Sequence, residues 1–378
     1  MDLRLTSEQQ QLRDEVRRFA REEISPCVTL MEKDERFPYQ LVKKMGDKGW
    51  LGIPIPTRWG GFGGDFISYI IAIHEISKAS AAVGVILSVH SSVCTLPILH
   101  YGTKEQHESY LNRLASGSWL GAFALTEPQA GSDAAAIRTK AVRDGQDYVL
   151  NGTKLFITNA GAAQLYLTFA VTDPSEGAKG ITAFLVESSF HGLSIGNKER
   201  KMGLHGSNTC ELVYEDLKLD QTQRLGAEGQ GFAIAKGSLD GGRIGIAAQA
   251  LGIAQAALEL IMQRFGGKVR LRSAAAQQNQ RELTELTAIA EAAKLLVYRA
   301  AYMRQEGIRC TKESSMAKLY ASDAAVRIAG AAVKMLGMEG CLETAGAERL
   351  FRDAKVTQIY EGTNEIHRIV ISGQLLRS

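Results

Sequence analysis

The spacing of apolar residues divides the chain into three stretches with different periods. Leu12, Val16, Phe19, Ala20 and Ile24 recur at helical spacing until Pro26, and Ser7 with Gln10 three residues on predicts a capping box at the helix start. Leu41 to Leu51 predicts a second helix, closed by Gly52 and the Pro54, Pro56 pair ahead of the loop Trp59-Gly60-Gly61-Phe62-Gly63-Gly64. Phe66 to Val89 is apolar almost all round, the pattern of a buried helix pair, and Leu96 to Leu114 continues in helix. After Gly117 the period shortens. Tyr148-Val149-Leu150 and Lys154 to Thr158 flank Asn151-Gly152, which predicts a hairpin turning there. Further strands are expected at Leu165 to Val171, Ile181 to Val186, Leu193 to Ile195 and Cys210 to Tyr214. Beyond Gly231 the helical period returns. Ile246, Ala250, Ile253, Ala257 and Ile261 form one stripe, Leu283, Leu286, Ala290, Ala293, Val297 and Ala300 a second, and Ser314 to Leu336 and Ile366 to Leu376 continue it. The expected fold is mainly α with a central β-domain: an N-terminal helical domain over 1–119, a middle β-barrel or sandwich over 120–225, and a C-terminal four-helix bundle over 226–378.

Composition narrows the function classes. Of 378 residues 45% are apolar, enough for a large core, and a formal net charge of +3 with interspersed signs argues against a nucleic-acid partner. The five cysteines (Cys27, Cys94, Cys210, Cys310 and Cys341) have no C-x-x-C spacing and an odd count, so they read as reduced thiols. Met1 to Glu8 lacks the basic-then-apolar run of a signal peptide. The run Ala79 to Val89, broken by Ser80, Gly84 and Ser88, is too short to span a bilayer, so a soluble, cytoplasmic protein without a membrane partner is expected. No metal site is expected: the seven histidines are scattered, His74-Glu75 lacks a second histidine four residues on, and His100 and His107 fall two turns apart. There is no G-x-G-x-x-G and no P-loop. Gly226-Ala227-Glu228-Gly229-Gln230-Gly231 reads as a domain-joining loop, so a nucleotide, where one is held, is not held by a Rossmann turn.

Candidate chemistry concentrates near the C-terminus. Gly362-Thr363-Asn364 follows Gln358-Ile359-Tyr360-Glu361 and precedes the apolar Ile366, Ile369 and Val370, so the chain bends at Gly362 and re-enters a helix. That leaves Glu361 at an element's end, where a partly desolvated carboxylate can act as a base. A solvated glutamate beside a helix cap is the other reading of these residues taken alone.

Arg352-Asp353-Ala354-Lys355, Ile359-Tyr360-Glu361-Gly362-Thr363 and Glu365-Ile366 resemble, in order and spacing, the C-terminal signature of the acyl-CoA dehydrogenases, flavoproteins that desaturate acyl thioesters at the α and β carbons. Leu125-Thr126-Glu127-Pro128-Gln129-Ala130-Gly131-Ser132-Asp133 resembles the family's flavin-and-substrate segment, and Phe156-Ile157-Thr158-Asn159-Ala160-Gly161 its Trp-Ile-Thr-Asn-Gly segment with Phe in the Trp position. The resemblance runs from about Leu5 to the end. It implies FAD in a crevice between the β-domain and the C-terminal helices. Leu125 and Thr126 would then face the flavin ring, Gly131 and Ser132 the diphosphate or the pantetheine arm, Phe156 the ring face, and Thr158 the vicinity of N5. It implies Glu361 as the base for the α-proton, its own backbone N–H as a donor to the thioester carbonyl, Tyr360 and Gly362 beside the substrate, and Asp240 and Arg243 near the pantetheine arm. Some members carry the base just before an arginine in the first bundle helix; here Gly242 precedes Arg243, so Glu361 has no competitor.

Two stretches depart from the family pattern. Its Arg-x-x-Phe-Gly run is replaced by Gly266-Gly267-Lys268-Val269-Arg270-Leu271-Arg272, and its Gln-Ile-x-Gly-Gly run by Lys334-Met335-Leu336-Gly337-Met338. Thr363 and Asn364 retain a third contact to FAD across a subunit interface, and Arg270, Arg272 or Lys334 either meets the diphosphate in place of the lost contacts or stays solvated. The implied activity is FAD-dependent dehydrogenation of a short or compact acyl-CoA by a homotetramer or homodimer, with electrons passing to an electron-transfer flavoprotein or to oxygen. Compactness is suggested by Gly242 and by the short-chain-like run Leu239 to Ala247. One alternative keeps the chemistry and places the acyl group on an acyl or peptidyl carrier protein. The other is a non-catalytic or DNA-associated member, against which the intact Glu361 argues.

Overall fold

The computed structural model describes residues 4–265 and 274–376. Its N-terminal part holds eight short helices: α1 (Ser7–Phe19), α2 (Val28–Asp34), α3 (Tyr39–Asp47), α4 (Phe66–Ala79), α5 (Ala81–Ser88), α6 (Leu96–Tyr101), α7 (Lys104–Gln106) and α8 (Asn112–Ala115). The capping box of α1 lies one residue earlier than expected. Thr6 is extended and accepts from the Gln9 N–H at 3.2 Å, and the Gln9 side chain accepts from the Thr6 N–H at 3.1 Å. The shift follows from backbone geometry, since the extended residue is Thr6 while Ser7 is already helical. Helix α4 is buried almost throughout, and α5 runs on through a π-helical turn, Val89–Thr95, into α6. Ala81–Tyr101 is therefore a continuous 21-residue helical stretch, longer than its sequence suggests; 94% of its most apolar window is buried inside the protein, which accounts for its composition.

The middle of the chain forms one eight-stranded sheet, β1 (Gly121–Ala124), β2 (Lys140–Asp144), β3 (Asp147–Thr158), β4 (Leu165–Val171), β5 (Ile181–Glu187), β6 (Leu193–Lys198), β7 (Thr209–Leu219) and β8 (Arg224–Leu225), in the order β6-β7-β3-β2-β4-β5-β8 with β1 beside β4. The expected hairpin at Asn151-Gly152 is not there. Strand β3 runs straight through those residues, and the turn lies earlier, where Asp144 pairs with Asp147 across Gly145-Gln146. Asn151 is held as a strand residue by Asp216 of β7, donating to its Oδ1 at 3.0 Å and accepting from its N–H at 2.8 Å, and the register shifts at this point.

The C-terminal helices are α9 (Gly231–Phe265), α10 (Ala274–Gln305), α11 (Thr311–Leu336), α12 (Ala347–Val356) and α13 (Asn364–Leu375). Helix α9 lies at their centre, packed on α4, α5, α10, α11 and α12, and the stripe Ile246, Ala250, Ile253, Ala257, Ile261 is wholly buried. The sequence reading assigns no element to α12. It is short and charged, with only Ala347, Leu350 and Ala354 buried at helical spacing along with Asp353, yet it sets the approach to Glu361.

Candidate active site

Glu361 stands where α12 gives way to α13. Thr357 returns its hydroxyl to the Ala354 carbonyl at 2.6 Å, and the chain then turns so that the Asn364 N–H reaches the Gln358 carbonyl at 3.0 Å. Within that turn Glu361 has φ 52° and Gly362 φ 93°. Glycine enters this region freely, whereas glutamate there is strained and persists only where its surroundings fix it. Thr363 then caps α13, accepting from the Ile366 N–H at 3.3 Å.

The Glu361 carboxylate is poised rather than satisfied. Its Oε2 is buried without a hydrogen-bond partner. It lies against α9 at Gly242, where any side chain would collide with Oε2 and would come within 2.9 Å of Val93. Removal from water pushes the carboxyl up to about 7, against the opposing pull of Arg243 and Lys318. Beside it Tyr360 donates to Gln249 Oε1, and Gln249 donates to the Ala81 carbonyl at 2.7 Å, so the phenol is anchored to α9.

Asp240 and Arg243, expected near the substrate, are bonded to each other. Arg243 donates from Nη1 to Asp240 Oδ1 at 2.8 Å and to Ser315 Oγ at 3.4 Å, and Asp240 Oδ2 accepts from Thr311 at 2.8 Å. The Arg243 Nε is buried and unpartnered. His367 is fully buried against Gly362 with neither ring nitrogen bonded, and burial, with Lys318 and Arg243 nearby, pushes it down to about 3, so it is neutral. Unsatisfied polar atoms of Glu361, Arg243 and His367 thus gather at one corner, the polarity a bound polar ligand satisfies.

Two of the segments expected at the flavin lie side by side. The Leu155 N–H donates to the Thr126 carbonyl at 2.9 Å, which lays Leu125-Thr126 beside the end of β3. Leu125 is buried, Thr126 and Thr158 are half-buried, and Gly131 and Ser132 are exposed on the turn that follows. Phe156 has φ 57° and is 59% exposed. An aromatic side chain held towards water in left-handed backbone gains from a flat ring laid against it, so these residues fit a flavin. Segment 88–95 is a wall shared with the Glu361 corner: Val93 faces Gly242, and Cys94 lies so close to Gly121 at the start of β1 that a methyl there would meet its sulfur at 2.5 Å.

Two further residues expected at FAD have protein partners in this structure, and a third lies outside the described residues. Lys334 lies exposed on α11, paired with Glu282 at 3.2 Å. Arg270 is outside the described residues, and so is Arg272. The Asn364 side chain turns inward, accepting from Lys318 at 3.1 Å and donating to Ser322 at 3.0 Å and Asp323 at 2.8 Å.

Two residues escaped the sequence reading. Lys154, fully buried, donates to the Leu125 carbonyl at 3.1 Å and to Glu127 at 2.7 Å, bracing the flavin segment from below. Lys318, also fully buried, donates to the Gly362 carbonyl at 2.7 Å. Each had a signal: Lys154 falls at an inward position of β3, and Lys318 interrupts the buried stripe Ala317, Ala321, Ala325, Ile328 of α11.

Known proteins resemble this chain along almost its whole length. Models of the acyl-CoA dehydrogenase N-terminal, middle and C-terminal domains match residues 6–118, 122–217 and 229–376. A relative named acyl-CoA dehydrogenase from Bacillus subtilis is 54% identical over 99% of this chain and 99% of its own, and a short-chain specific acyl-CoA dehydrogenase from Clostridium acetobutylicum is 45% identical over all of both. The solved structure of butyryl-CoA dehydrogenase from Megasphaera elsdenii superposes with a TM-score of 0.97 at 43% identity, covering 100% of each chain. The chain belongs to the acyl-CoA dehydrogenase family.

Proposed function

We propose that this protein oxidises a short or compact acyl-CoA between its α and β carbons, with Glu361 as the base, and passes the electrons to an electron-transferring flavoprotein. The observation that carries the reading is the Glu361 carboxylate itself, buried against Gly242 with an unpartnered oxygen and a proton affinity near neutrality. A base matched to the working pH gives the best compromise between being ionised and holding the proton it removes. Among the described residues the Glu361 N–H donates to no backbone carbonyl, so it is free to bond a thioester carbonyl and stabilise charge developing there as the α-proton leaves. Arg243, fixed by Asp240 and with Nε unspent, is suited to the polar arm of the thiol carrier.

The enzyme is an FAD-dependent oxidoreductase of its family. Leu125, Thr126, Phe156 and Thr158 are the residues proposed to hold the flavin ring, with Gly131 and Ser132 at the diphosphate and Thr363 from a neighbouring subunit. Bound FAD supplies an acceptor for the hydride leaving the β carbon. The glycine at 242 and the short-chain names of the relatives support a compact acyl group.

The test is the absorbance of purified protein under anaerobic titration with butyryl-CoA. Bleaching of the flavin band is expected. A protein that stays colourless with added FAD, or a yellow one that no short acyl-CoA bleaches, removes the reading; faster bleaching by the same acyl group on a carrier protein transfers it to the alternative carrier.

A further inference from the structure

Lys318 is a cation in a place where cations are rarely left. It has no solvent exposure, and its two hydrogen-bond contacts are neutral oxygens, the Gly362 carbonyl at 2.7 Å and Asn364 Oδ1 at 3.1 Å. A buried lysine ordinarily sits against a carboxylate. Here its compensation comes from beyond the contact shell: Glu361 at the corner, with Asp323 of α11 and Glu365 of α13 adding to it and Arg243 of α9 opposing it, while His367 of α13 is neutral. The Gly362 carbonyl that Lys318 grips belongs to the residue after Glu361, in the turn where both have positive φ. On the other side of that glycine lies the His367 ring, which a methyl group on Gly362 would approach to 3.0 Å.

We propose that Lys318 is a positioning residue for Glu361, holding the strained corner through the Gly362 carbonyl and favouring the ionised carboxylate with its charge. The geometry divides the two tasks. The carbonyl bond fixes where the carboxylate points, because Gly362 cannot rotate without losing it. The charge offsets the desolvation of a carboxylate whose Oε2 has no donor, and the same desolvation draws the ammonium down to about 7. Asn364 links the grip to α13: it accepts from Lys318 and is itself held by Ser322 and Asp323, so the corner is tied to α11 at three residues.

The inference rests on Glu361 being the base, and the experiment separates the two. FAD-loaded wild type, Lys318→Gln and Lys318→Met are compared in the pH dependence of kcat/KM with butyryl-CoA. The Glu361 carboxyl is followed separately by infrared titration, its C=O band identified by its loss in Glu361→Gln. Lys318→Gln keeps a donor for the Gly362 carbonyl and loses the charge. It is expected to keep FAD and a KM within about threefold, and to move the acidic limb and the infrared midpoint up by about one pH unit, so that kcat/KM at pH 6 falls about tenfold. Lys318→Met loses both tasks and is expected to lose kcat further, at high pH as well. A folded Lys318→Gln enzyme whose acidic limb and infrared midpoint match wild type overturns the charge role, and an unchanged high-pH kcat in Lys318→Met overturns the grip. Should wild type not be bleached by butyryl-CoA, the functional reading fails, while the infrared titration still decides what Lys318 does to the carboxyl.

Discussion

Glu127 and Glu361 are both withdrawn from water and end in opposite states. Glu127 is saturated: Oε1 accepts from Lys154 at 2.7 Å and the Thr139 N–H at 3.0 Å, and Oε2 from the Arg138 N–H at 2.6 Å and Gln129 at 2.7 Å. Burial alone would raise its pKa, yet Lys154 and these donors outweigh it and hold the carboxyl down at about 2. Glu361 has an oxygen with no donor, and burial wins, pushing it up to about 7. The two lie in segments that the family resemblance ties to one reaction, and burial does not tell the proposed base from the brace. Counting the donors does.

The sharpest break in that comparison is Glu361→Gln. It is expected to lower kcat by on the order of 10²–10⁴-fold while FAD stays bound, read as the rate of anaerobic flavin bleaching in a stopped-flow instrument. Less than a tenfold loss would move the base elsewhere.

Next in size is Lys154→Met, which strands the Glu127 charge in the interior. Breaking a buried pair from one side costs about 3–5 kcal/mol, measured by urea unfolding, and FAD content should fall because the Leu125 carbonyl loses its anchor. Adding Glu127→Gln to Lys154→Met should recover part of the stability. Were the double variant as unstable as the single, the cost would be lost packing rather than stranded charge.

The contrast also has a stability side with a definite sign. Glu361 folds with a carboxyl pKa raised from 4.5 to about 7. Below pH 4.5 both folded and unfolded forms are protonated and nothing is lost; between 4.5 and 7 the unfolded form ionises while the folded form keeps its proton, so stability falls, and above 7 the loss is constant. Glu361→Gln should therefore leave stability unchanged at pH 4.5 and raise it by up to about 3 kcal/mol at pH 8, the difference growing between those limits. Thermal melts of the two proteins across pH check this, and a constant offset would mean that the carboxylate is not desolvated.

How much of this could be read from the chain follows from what each feature depends on. The α, β, α order came from changes of apolar period, because helix stripes such as Ile246 to Ile261 and the strand runs bury faces that their own sequence marks. The turn at Asn151-Gly152 was misread because its dipeptide has turn chemistry; only Asp216, on another strand, shows that Asn151 is tied into the sheet. Glu361, the proposed base, is marked in the sequence by the glycine bend and the family motif. Lys154 and Lys318 were not, since their partners Leu125 and Gly362 are 29 and 44 residues away. Their one local trace, a cation on a buried stripe, carries meaning only once the stripe's neighbour is known.

The smallest expected effect comes from setting the same two residue types on the surface. Lys334 and Glu282 form a pair at 3.2 Å, with the lysine side chain 72% exposed, where solvent screens the attraction and holding both side chains costs entropy. Lys334→Ala should change stability by less than about 1 kcal/mol, against the several expected at Lys154, and urea unfolding of the two variants side by side measures the value of burial for one kind of pair. The same variant examines the departure at Lys334-Met335-Leu336-Gly337-Met338. With Lys334 committed to Glu282, FAD content after gel filtration should match wild type. A flavin lost from Lys334→Ala alone would mean that this lysine leaves Glu282 to meet the diphosphate in the assembled enzyme.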